Sequence, residues 1–221
     1  FGDEAIRSRR AEILSTLEVL SEDEVRRFTF RARYRGYAKI KGVLPRSGTE
    51  TYFKVRGALS HPKWQGVPIY LESGKRLKNQ IKEVVVTFRH PMPCLCPAGT
   101  REHYKNRVII SLEPQEGIKI QFWSKKPGLE MRLEERSFDF SLRHAAEKVQ
   151  YIEEYEKLLL DCINGDQTFF VRTDEIMAMW RFTDPIVCAW KKNLVPLELY
   201  EPNTDRVVYR AMEALEGLGG G

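Results

Sequence analysis

An alternation of apolar and polar residues with a period of two runs through the middle of the chain, from residue 51 to residue 143. Every second side chain is apolar in the stretches TYFKVRG, GIKIQFW and SFDFSLR, which is typical of antiparallel strands with one covered face. The stretches KEVVVTF and RVIISLE are apolar almost throughout, which places them at the centre of a sheet or at a subunit contact. The pattern predicts a large, mainly antiparallel sheet over about residues 51–143.

Helical periodicity precedes and follows this sheet region. Ser21 and Glu24 have the spacing of a capping box, which predicts a short helix through Phe28, after a first helix that begins near Asp3. Beyond residue 143, apolar residues recur every three or four positions until Asn164-Gly165, a helix stop signal. Helices are therefore expected on both sides of the sheet in the order of the chain.

Local signals add detail to the C-terminal part. The stretch TFFVR, residues 168–172, is rich in strand formers and predicts a short strand. Pro185 is expected to be the first residue of a further helix, because that position needs no backbone N–H. Together the patterns predict one α+β domain over residues 1–221, with a helical segment (about 1–30), the sheet, and helices (about 144–192) packed on one face of the sheet.

Composition narrows the class of protein without identifying a partner. The 221 residues are 42% hydrophobic and 30% charged, and the net charge of +5 is spread over interleaved acids and bases. This balance suits an anionic small molecule as well as a nucleic acid. Four cysteines are too few for a disulfide scaffold, so we expect a reducing, cytoplasmic setting. No apolar run approaches the roughly 18 residues of a membrane span.

A glycine followed by several bases stands between two strand patterns, in the stretch LESGKRLKNQIKEV. Gly74 lets a ligand approach the backbone, while Lys75, Arg76 and Lys78 supply positive charge and hydrogen-bond donors. The turn is therefore either an anion site suited to a phosphate or a solvated, solubilising turn. It is not a Walker A loop, because the earlier glycine and the Ser or Thr after the lysine are both missing.

The remaining polar residues include types that bind metals or act in catalysis. Two histidines and two cysteines lie within fourteen residues of one another: His90, Cys94, Cys96 and His103. These are zinc-ligand types, but Cys-x-Cys is tighter than the usual spacing, so we favour an ordinary loop and predict no metal site. His61 and His144 have no Ser, Cys or Asp at a spacing that indicates a nucleophile and its base. No G-x-G-x-x-G turn occurs, so no Rossmann domain is predicted in this chain.

Several longer motifs, in order along the chain, resemble one known family: DEAIRSRRAEILSTLEVLSEDEV, WQGVPIYLESGKRL, KKPG and YEKLLLDCINGDQTFFVRTDEIMAMW. The chain resembles the C-terminal domain of glucose-6-phosphate dehydrogenase over roughly four fifths of its length. The resemblance implies that Lys75 matches the lysine that binds the phosphate of glucose 6-phosphate. It also implies substrate-side positions at Gln80, where the family usually has a base, and at Glu113, where the family has a glutamine.

The same resemblance implies what the chain does not contain. The family's nucleotide-binding turn and its catalytic histidine belong to an N-terminal domain that would precede Phe1, so no catalytic residue is expected here. The complete enzyme is expected to use NADP, and this chain alone is expected to be inactive. Animal members hold a second, structural NADP through basic residues, and the matching positions are Ile81, Val85 and Ser111. We therefore expect this chain to bind no cofactor.

The resemblance also implies a homodimer through the sheet face, with Lys119, Gln121 and Trp123 on the candidate contact. Two other classes of function stay open. The residues at positions 80 and 113 suit a binding or scaffold module that keeps the fold without the chemistry. The positive net charge suits a nucleic-acid-binding domain, but no basic stripe or motif supports it. We expect neither nucleic acid nor membrane among the partners.

Overall fold

The structure is a computed structural model that describes residues 2–44, 47–90, 104–130, 132–141 and 154–216. Its α-helices are α1 (Asp3–Ser15), α2 (Glu22–Phe28), α3 (Glu154–Asn164), α4 (Thr173–Lys191) and α5 (Arg206–Glu216), and a 3₁₀ turn covers Tyr37–Lys39. Its strands are β1 (Thr29–Tyr34), β2 (Tyr52–Gly57), β3 (Ile69–Gly74), β4 (Lys82–Thr87), β5 (Arg107–Glu113), β6 (Gly117–Lys125), β7 (Leu133–Ser141) and β8 (Leu197–Tyr200). The chain divides into two compact units, residues 1–78 with 152–221 and residues 79–151.

The predicted α+β class with mainly antiparallel strands is confirmed, and the strands are divided between two four-stranded sheets. The first unit contains the order β3-β2-β1-β8, and the second unit contains the order β4-β5-β6-β7. Among the described strands, every pairing is antiparallel except that of β1 with β8. The two strands around the Gly-Lys turn, β3 and β4, therefore pair in different sheets and do not form a hairpin with each other.

Helices cover both faces of the first sheet. On one face Val55 packs with α2 and α4, through side chains that include Val25, Phe182 and Trp190. On the other face Phe30, Ala32 and Tyr34 of β1 pack with Tyr52, Tyr200, Val207 and Ala211. The residues of β1 alternate between the two cores, as the period of a strand requires. The second helical layer comes from α5, which lies beyond the region in which the sequence patterns predicted helices.

Pro185 lies inside α4 and does not begin a new helix, so that prediction was wrong. Phe182, Ile186 and Trp190 are buried on either side of the proline. Their spacing continues one apolar stripe through the whole helix, and its burial outweighs the backbone hydrogen bond that proline cannot donate. Tertiary packing therefore overrides the local preference of Pro185 for the first position of a helix.

The stretch TFFVR forms no strand, and that prediction was also wrong. The guanidinium of Arg10 in α1 donates to the carbonyls of Thr168 and Phe170 at 2.7 and 3.0 Å. These carbonyls are acceptors that a strand neighbour would otherwise use. The same guanidinium donates to the Glu175 carboxylate at 2.7 Å, so one partly buried ion pair attaches α1 to the start of α4.

In the sheet of the second unit, β6 and β7 have one polar and one apolar face, whereas Val85 of β4 and Ile109 of β5 are apolar residues on the polar side. On the polar face Lys119 pairs with Asp139 at 3.5 Å, and Trp123 stacks on Tyr104 with ring centroids 4.2 Å apart. Large apolar side chains are exposed on the opposite face: Val84, Ile110, Ile118, Ile120, Phe138 and Phe140. Within the described residues, no helix has the length and apolar character needed to cross a membrane.

Candidate functional site

The Gly-Lys turn begins where β3 ends, at the edge of the first sheet. Gly74 is the last residue of β3 and pairs with Tyr52 of β2. A Cβ atom at this position would lie 2.7 Å from Cδ2 of Tyr52 and 2.8 Å from Cδ1 of Leu77. Real Cβ atoms do not approach other atoms so closely, so the glycine is required by packing beneath the turn.

The backbone of the turn is hydrogen-bonded to two other parts of the chain. The Lys75 N–H donates to the Thr51 carbonyl at 2.8 Å, and the Tyr200 hydroxyl donates to the Lys75 carbonyl at 2.6 Å. The Asn203 N–H donates to the Arg76 carbonyl at 2.6 Å. These bonds hold the turn against β2 and against the segment that joins β8 to α5, which explains why the chain does not fold back into a β3–β4 hairpin.

The turn presents its bases to solvent. Lys75, Arg76 and Lys78 are all exposed, and among the described residues the Lys75 and Lys78 ammonium groups form no ion pair. Arg76 has a positive φ of 53°, and its guanidinium lies 5.7 Å from the centre of the Tyr34 ring. A hydrogen-bonded backbone that carries exposed cationic side chains is an arrangement that can bind a phosphate or another anion.

Buried hydroxyl groups lie under the turn. The Tyr52 hydroxyl donates to Glu72 at 2.8 Å, and Lys54 pairs with the second oxygen of the same carboxylate at 3.1 Å. Tyr200 is only 3% exposed. Burial raises the pKa of Tyr52, with the Glu72 carboxylate as a further cause, and burial likewise raises the pKa of Tyr200. Both phenols therefore stay protonated and act as hydrogen-bond donors.

Gln80 and Glu113 belong to the second unit, whereas Lys75 belongs to the first. Gln80 is exposed and lies two residues before β4. Glu113 is the last residue of β5, pairs in register with Lys82 of β4, and forms an ion pair with its ammonium. The negative charge of Glu113 is therefore balanced within its own sheet. The substrate-side roles of Gln80, Glu113 and Lys75 stay predictions.

The histidine and cysteine residues show no metal centre in the part of the chain that is described. There, no group of three or more His, Cys, Asp or Glu residues could hold a metal ion. Cys94, Cys96, His103 and His144 lie outside the described residues. The Nδ1 atom of His61 accepts a hydrogen bond from the Lys63 N–H at 3.2 Å, which is a local turn contact.

Sequence inspection missed the residues that support the turn from the C-terminal side. Tyr200, Asn203 and Asp205 contribute through one hydroxyl, one backbone N–H and one carboxylate, the last accepting from the Lys78 N–H at 3.1 Å. They lie more than 120 residues after the turn, and no local pattern indicates that β8 returns beside β1. The strand pattern LELY was the available signal, but it does not specify a partner.

Comparisons with known proteins agree with one another. A family model described as "Glucose-6-phosphate dehydrogenase, C-terminal domain" matches residues 1–212. Glucose-6-phosphate 1-dehydrogenase from Rhizobium meliloti is 34% identical over 211 residues, which are 91% of this chain and 43% of the relative. The chain thus spans less than half the length of this curated relative.

Two solved structures are similar to the chain. The crystal structure of glucose-6-phosphate 1-dehydrogenase from Mycobacterium avium matches with a TM-score of 0.74 and 26% identity, over 92% of this chain and 41% of that one. A glucose-6-phosphate dehydrogenase in complex with its substrate glucose 6-phosphate matches with a TM-score of 0.79 over 97% of this chain and 45% of that one. The second match is 22% identical, so it supports the fold alone.

Proposed function

Because the chain belongs to the family of glucose-6-phosphate dehydrogenase C-terminal domains, we propose that it is the substrate-side and dimerisation domain of an NADP-dependent glucose-6-phosphate dehydrogenase. The complete enzyme passes hydride from carbon 1 of glucose 6-phosphate to NADP and yields 6-phosphogluconolactone. The observation that carries the proposal is the turn at Lys75, whose backbone is hydrogen-bonded to β8 and to the segment before β2 and whose cationic side chains are exposed.

Lys75 binds the phosphate of the substrate in this proposal. Its N–H and carbonyl are both hydrogen-bonded to buried parts of the first unit, so the side chain starts from a fixed backbone and needs little reorganisation. A hydrogen bond to a charged group contributes about 1.5–3 kcal/mol. Loss of the Lys75 ammonium is therefore expected to weaken substrate binding by about 10- to 100-fold, since 1.4 kcal/mol corresponds to a factor of ten.

Gln80 and Glu113 also have substrate-binding roles in this proposal. Gln80 donates a hydrogen bond to a phosphate or sugar oxygen but carries no charge, so it binds more weakly than the base that the family usually has there. Glu113 accepts from a sugar hydroxyl. A free carboxylate beside a phosphate would repel it, and the ion pair with Lys82 removes much of that repulsion.

NADP is bound by the nucleotide-binding domain in this proposal and not by this chain. Ile81 and Val85 have no polar side-chain group, and the Ser111 side chain is uncharged, so these three positions do not fit the phosphates of a structural NADP. NADP supplies the hydride acceptor of the complete enzyme. What this chain contributes is the placement of the sugar phosphate and the subunit contact.

The homodimer forms through the sheet of the second unit in this proposal. Exposed apolar surface on a sheet is typical of a contact surface. Phe138 and Ile120 are 67% and 43% exposed on its apolar face, whereas Trp123 on the polar face is half-buried against Tyr104. The exposed side chains therefore favour the apolar face over the polar face that the sequence suggested.

The experiment that tests the proposed function is a dehydrogenase assay of two proteins, this chain alone and the chain joined to a nucleotide-binding half. We expect reduction of NADP with glucose 6-phosphate only when both halves are present. A joined protein that folds, binds NADP and shows no activity with sugar phosphates would support the alternative, a binding or scaffold module, which the residues Gln80 and Glu113 suggest.

A further inference from the structure

We propose that Tyr200 is a positioning residue for substrate binding, because its hydroxyl fixes the peptide plane from which the Lys75 side chain projects. The inference rests on the proposed function, in which Lys75 binds the substrate phosphate. Tyr200 does not touch the substrate itself. It acts through Lys75, from a strand 125 residues further along the chain.

The Tyr200 hydroxyl stands in a chain of hydrogen bonds with a single possible direction. The Tyr34 N–H donates to Oγ1 of Thr51 at 3.0 Å, and Oγ1 of Thr51 lies 3.1 Å from the Tyr200 hydroxyl. The Tyr200 hydroxyl in turn lies 2.6 Å from the Lys75 carbonyl oxygen. A carbonyl can only accept, so the single hydroxyl proton of Tyr200 is donated to Lys75, and Thr51 in turn donates to Tyr200.

The contact to Lys75 is the dominant bond of the Tyr200 hydroxyl. Its alternative acceptor, the Thr51 carbonyl, is 3.2 Å away and already accepts the Lys75 N–H at 2.8 Å. Tyr200 and Thr51 are 3% and 6% exposed, so water does not compete for these groups. Hydrogen bonds that are aligned in series and removed from water strengthen one another.

Lys75 is held on both sides of its Cα atom by this arrangement. Its N–H is bonded to Thr51 and its carbonyl to Tyr200, and each bond fixes one planar peptide unit. Together the two peptide planes determine where Cβ points, and hence the volume that the ammonium can reach. Preorganisation of this kind lowers the entropy lost on binding.

The test is the Tyr200→Phe variant in the complete enzyme, which keeps the buried ring and removes only the hydroxyl. A single hydrogen bond contributes about 0.5–1.5 kcal/mol, so we expect KM for glucose 6-phosphate to rise about 2- to 12-fold. The inhibition constant for inorganic phosphate is expected to rise by the same factor. The KM for NADP and kcat are expected to change less than twofold, about the limit of routine kinetic precision.

Thr29→Val is the matched control, because it also removes a buried hydroxyl from the first sheet. Oγ1 of Thr29 accepts from the Trp190 indole at 3.0 Å and donates to the Val25 carbonyl at 2.7 Å. These partners lie in the core on the opposite face of the sheet. The control is expected to lower the unfolding temperature at least as much as Tyr200→Phe does, and to leave the KM for glucose 6-phosphate unchanged.

Two further variants separate the possible outcomes. Thr51→Ser keeps the hydroxyl chain and is expected to retain a wild-type KM, whereas Thr51→Val removes the donor to Tyr200 but leaves the bond from Tyr200 to Lys75, and is expected to raise KM less than Tyr200→Phe does. The positioning role is refuted if Lys75→Ala raises KM but a folded Tyr200→Phe does not, or if Thr29→Val raises KM equally. If Lys75→Ala itself leaves KM unchanged, the proposed phosphate site is wrong, and the positioning role fails with it.

Discussion

Replacement of Gly74 by alanine tests whether the turn depends on the close packing seen beneath it. The added Cβ would lie 2.7 Å from Cδ2 of Tyr52 and 2.8 Å from Cδ1 of Leu77. The end of the Leu77 side chain can rotate away at small cost. Tyr52 has no such freedom, because it is fully buried and its hydroxyl is bonded to Glu72. The ring therefore resists the new methyl group, and the β3 end must move instead.

The size of the effect follows from the cost of overpacking. Insertion of a methyl group into a well-packed core costs about 1–3 kcal/mol. In a domain of this size, 1 kcal/mol lowers the unfolding temperature by about 2–4 °C, so a fall of about 2–12 °C is expected. The turn that carries Lys75 moves with β3, so the KM for glucose 6-phosphate in the complete enzyme should rise as well.

Thermal unfolding of the 221-residue chain measures the loss of stability in Gly74→Ala, with Gly48→Ala as the control. Gly48 is exposed, its φ lies outside the positive range, and no atom lies within 4 Å of a Cβ built there. Its replacement is expected to change the unfolding temperature by less than 1 °C, within ordinary measurement error. Equal unfolding temperatures for Gly74→Ala and Gly48→Ala would show that the contact with Tyr52 does not constrain the turn.

Three other predictions follow from the same structure. A hydrogen bond from the Arg172 backbone N–H and one from the Arg10 side chain lower the pKa of Glu175. The ionised carboxylate therefore stabilises the fold above its ordinary pKa of 4.5, and this stabilisation is lost as pH falls through the lowered pKa. Glu175→Gln should reduce the acid-induced fall in unfolding temperature below pH 4.5, and an unchanged acid profile would contradict this. Gln80→Lys should lower the KM for glucose 6-phosphate in the complete enzyme, and an unaltered KM would refute the proposed role of this position. Phe138→Glu should convert a dimer of the complete enzyme into monomers in analytical ultracentrifugation, whereas Trp123→Glu should not; the reverse result would assign the contact to the polar face.

Sequence periodicity predicted β6 and β7 well, because these strands alternate between polar and apolar residues, and it predicted β4 and β5 from their continuous apolar runs. The capping box of Ser21 and Glu24 is also confirmed, with the two reciprocal hydrogen bonds in place. Such signals are local, and they depend on residues that lie within a few positions of one another. They do not specify which strands pair, which is why the division of β3 and β4 between two sheets was not foreseen.

The two local features that the sequence did not predict correctly, at Pro185 and at TFFVR, depend on long-range contacts. Pro185 looked like a helix start because its local chemistry suits one, yet burial of Phe182 and Ile186 keeps α4 continuous. The residues of TFFVR favour a strand, yet the Arg10 guanidinium donates hydrogen bonds to two of its backbone carbonyls. In both cases a contact with a distant residue or with the core overrides the local preference.

For the candidate site, the sequence pointed to Lys75, and the structure showed which residues form hydrogen bonds with its backbone. Lys75 was identified by the resemblance and by the glycine before it. The roles of Thr51 and Tyr200 became visible only when β8 was placed beside β1, since nothing near either residue indicates a bond to the turn. A residue that binds through its own charge is thus easier to find in a sequence than one that positions a neighbour.

The central claim is that the Lys75 side chain binds the phosphate of the substrate, and the KM for glucose 6-phosphate of the Lys75→Ala enzyme tests it most directly. Lys63→Ala, which removes another exposed lysine of the first unit outside the turn, is the control. The account predicts that KM rises about 10- to 100-fold in Lys75→Ala and stays unchanged in the control, while the KM for NADP is unaltered in both. An unchanged KM for glucose 6-phosphate in a folded Lys75→Ala enzyme would contradict the account.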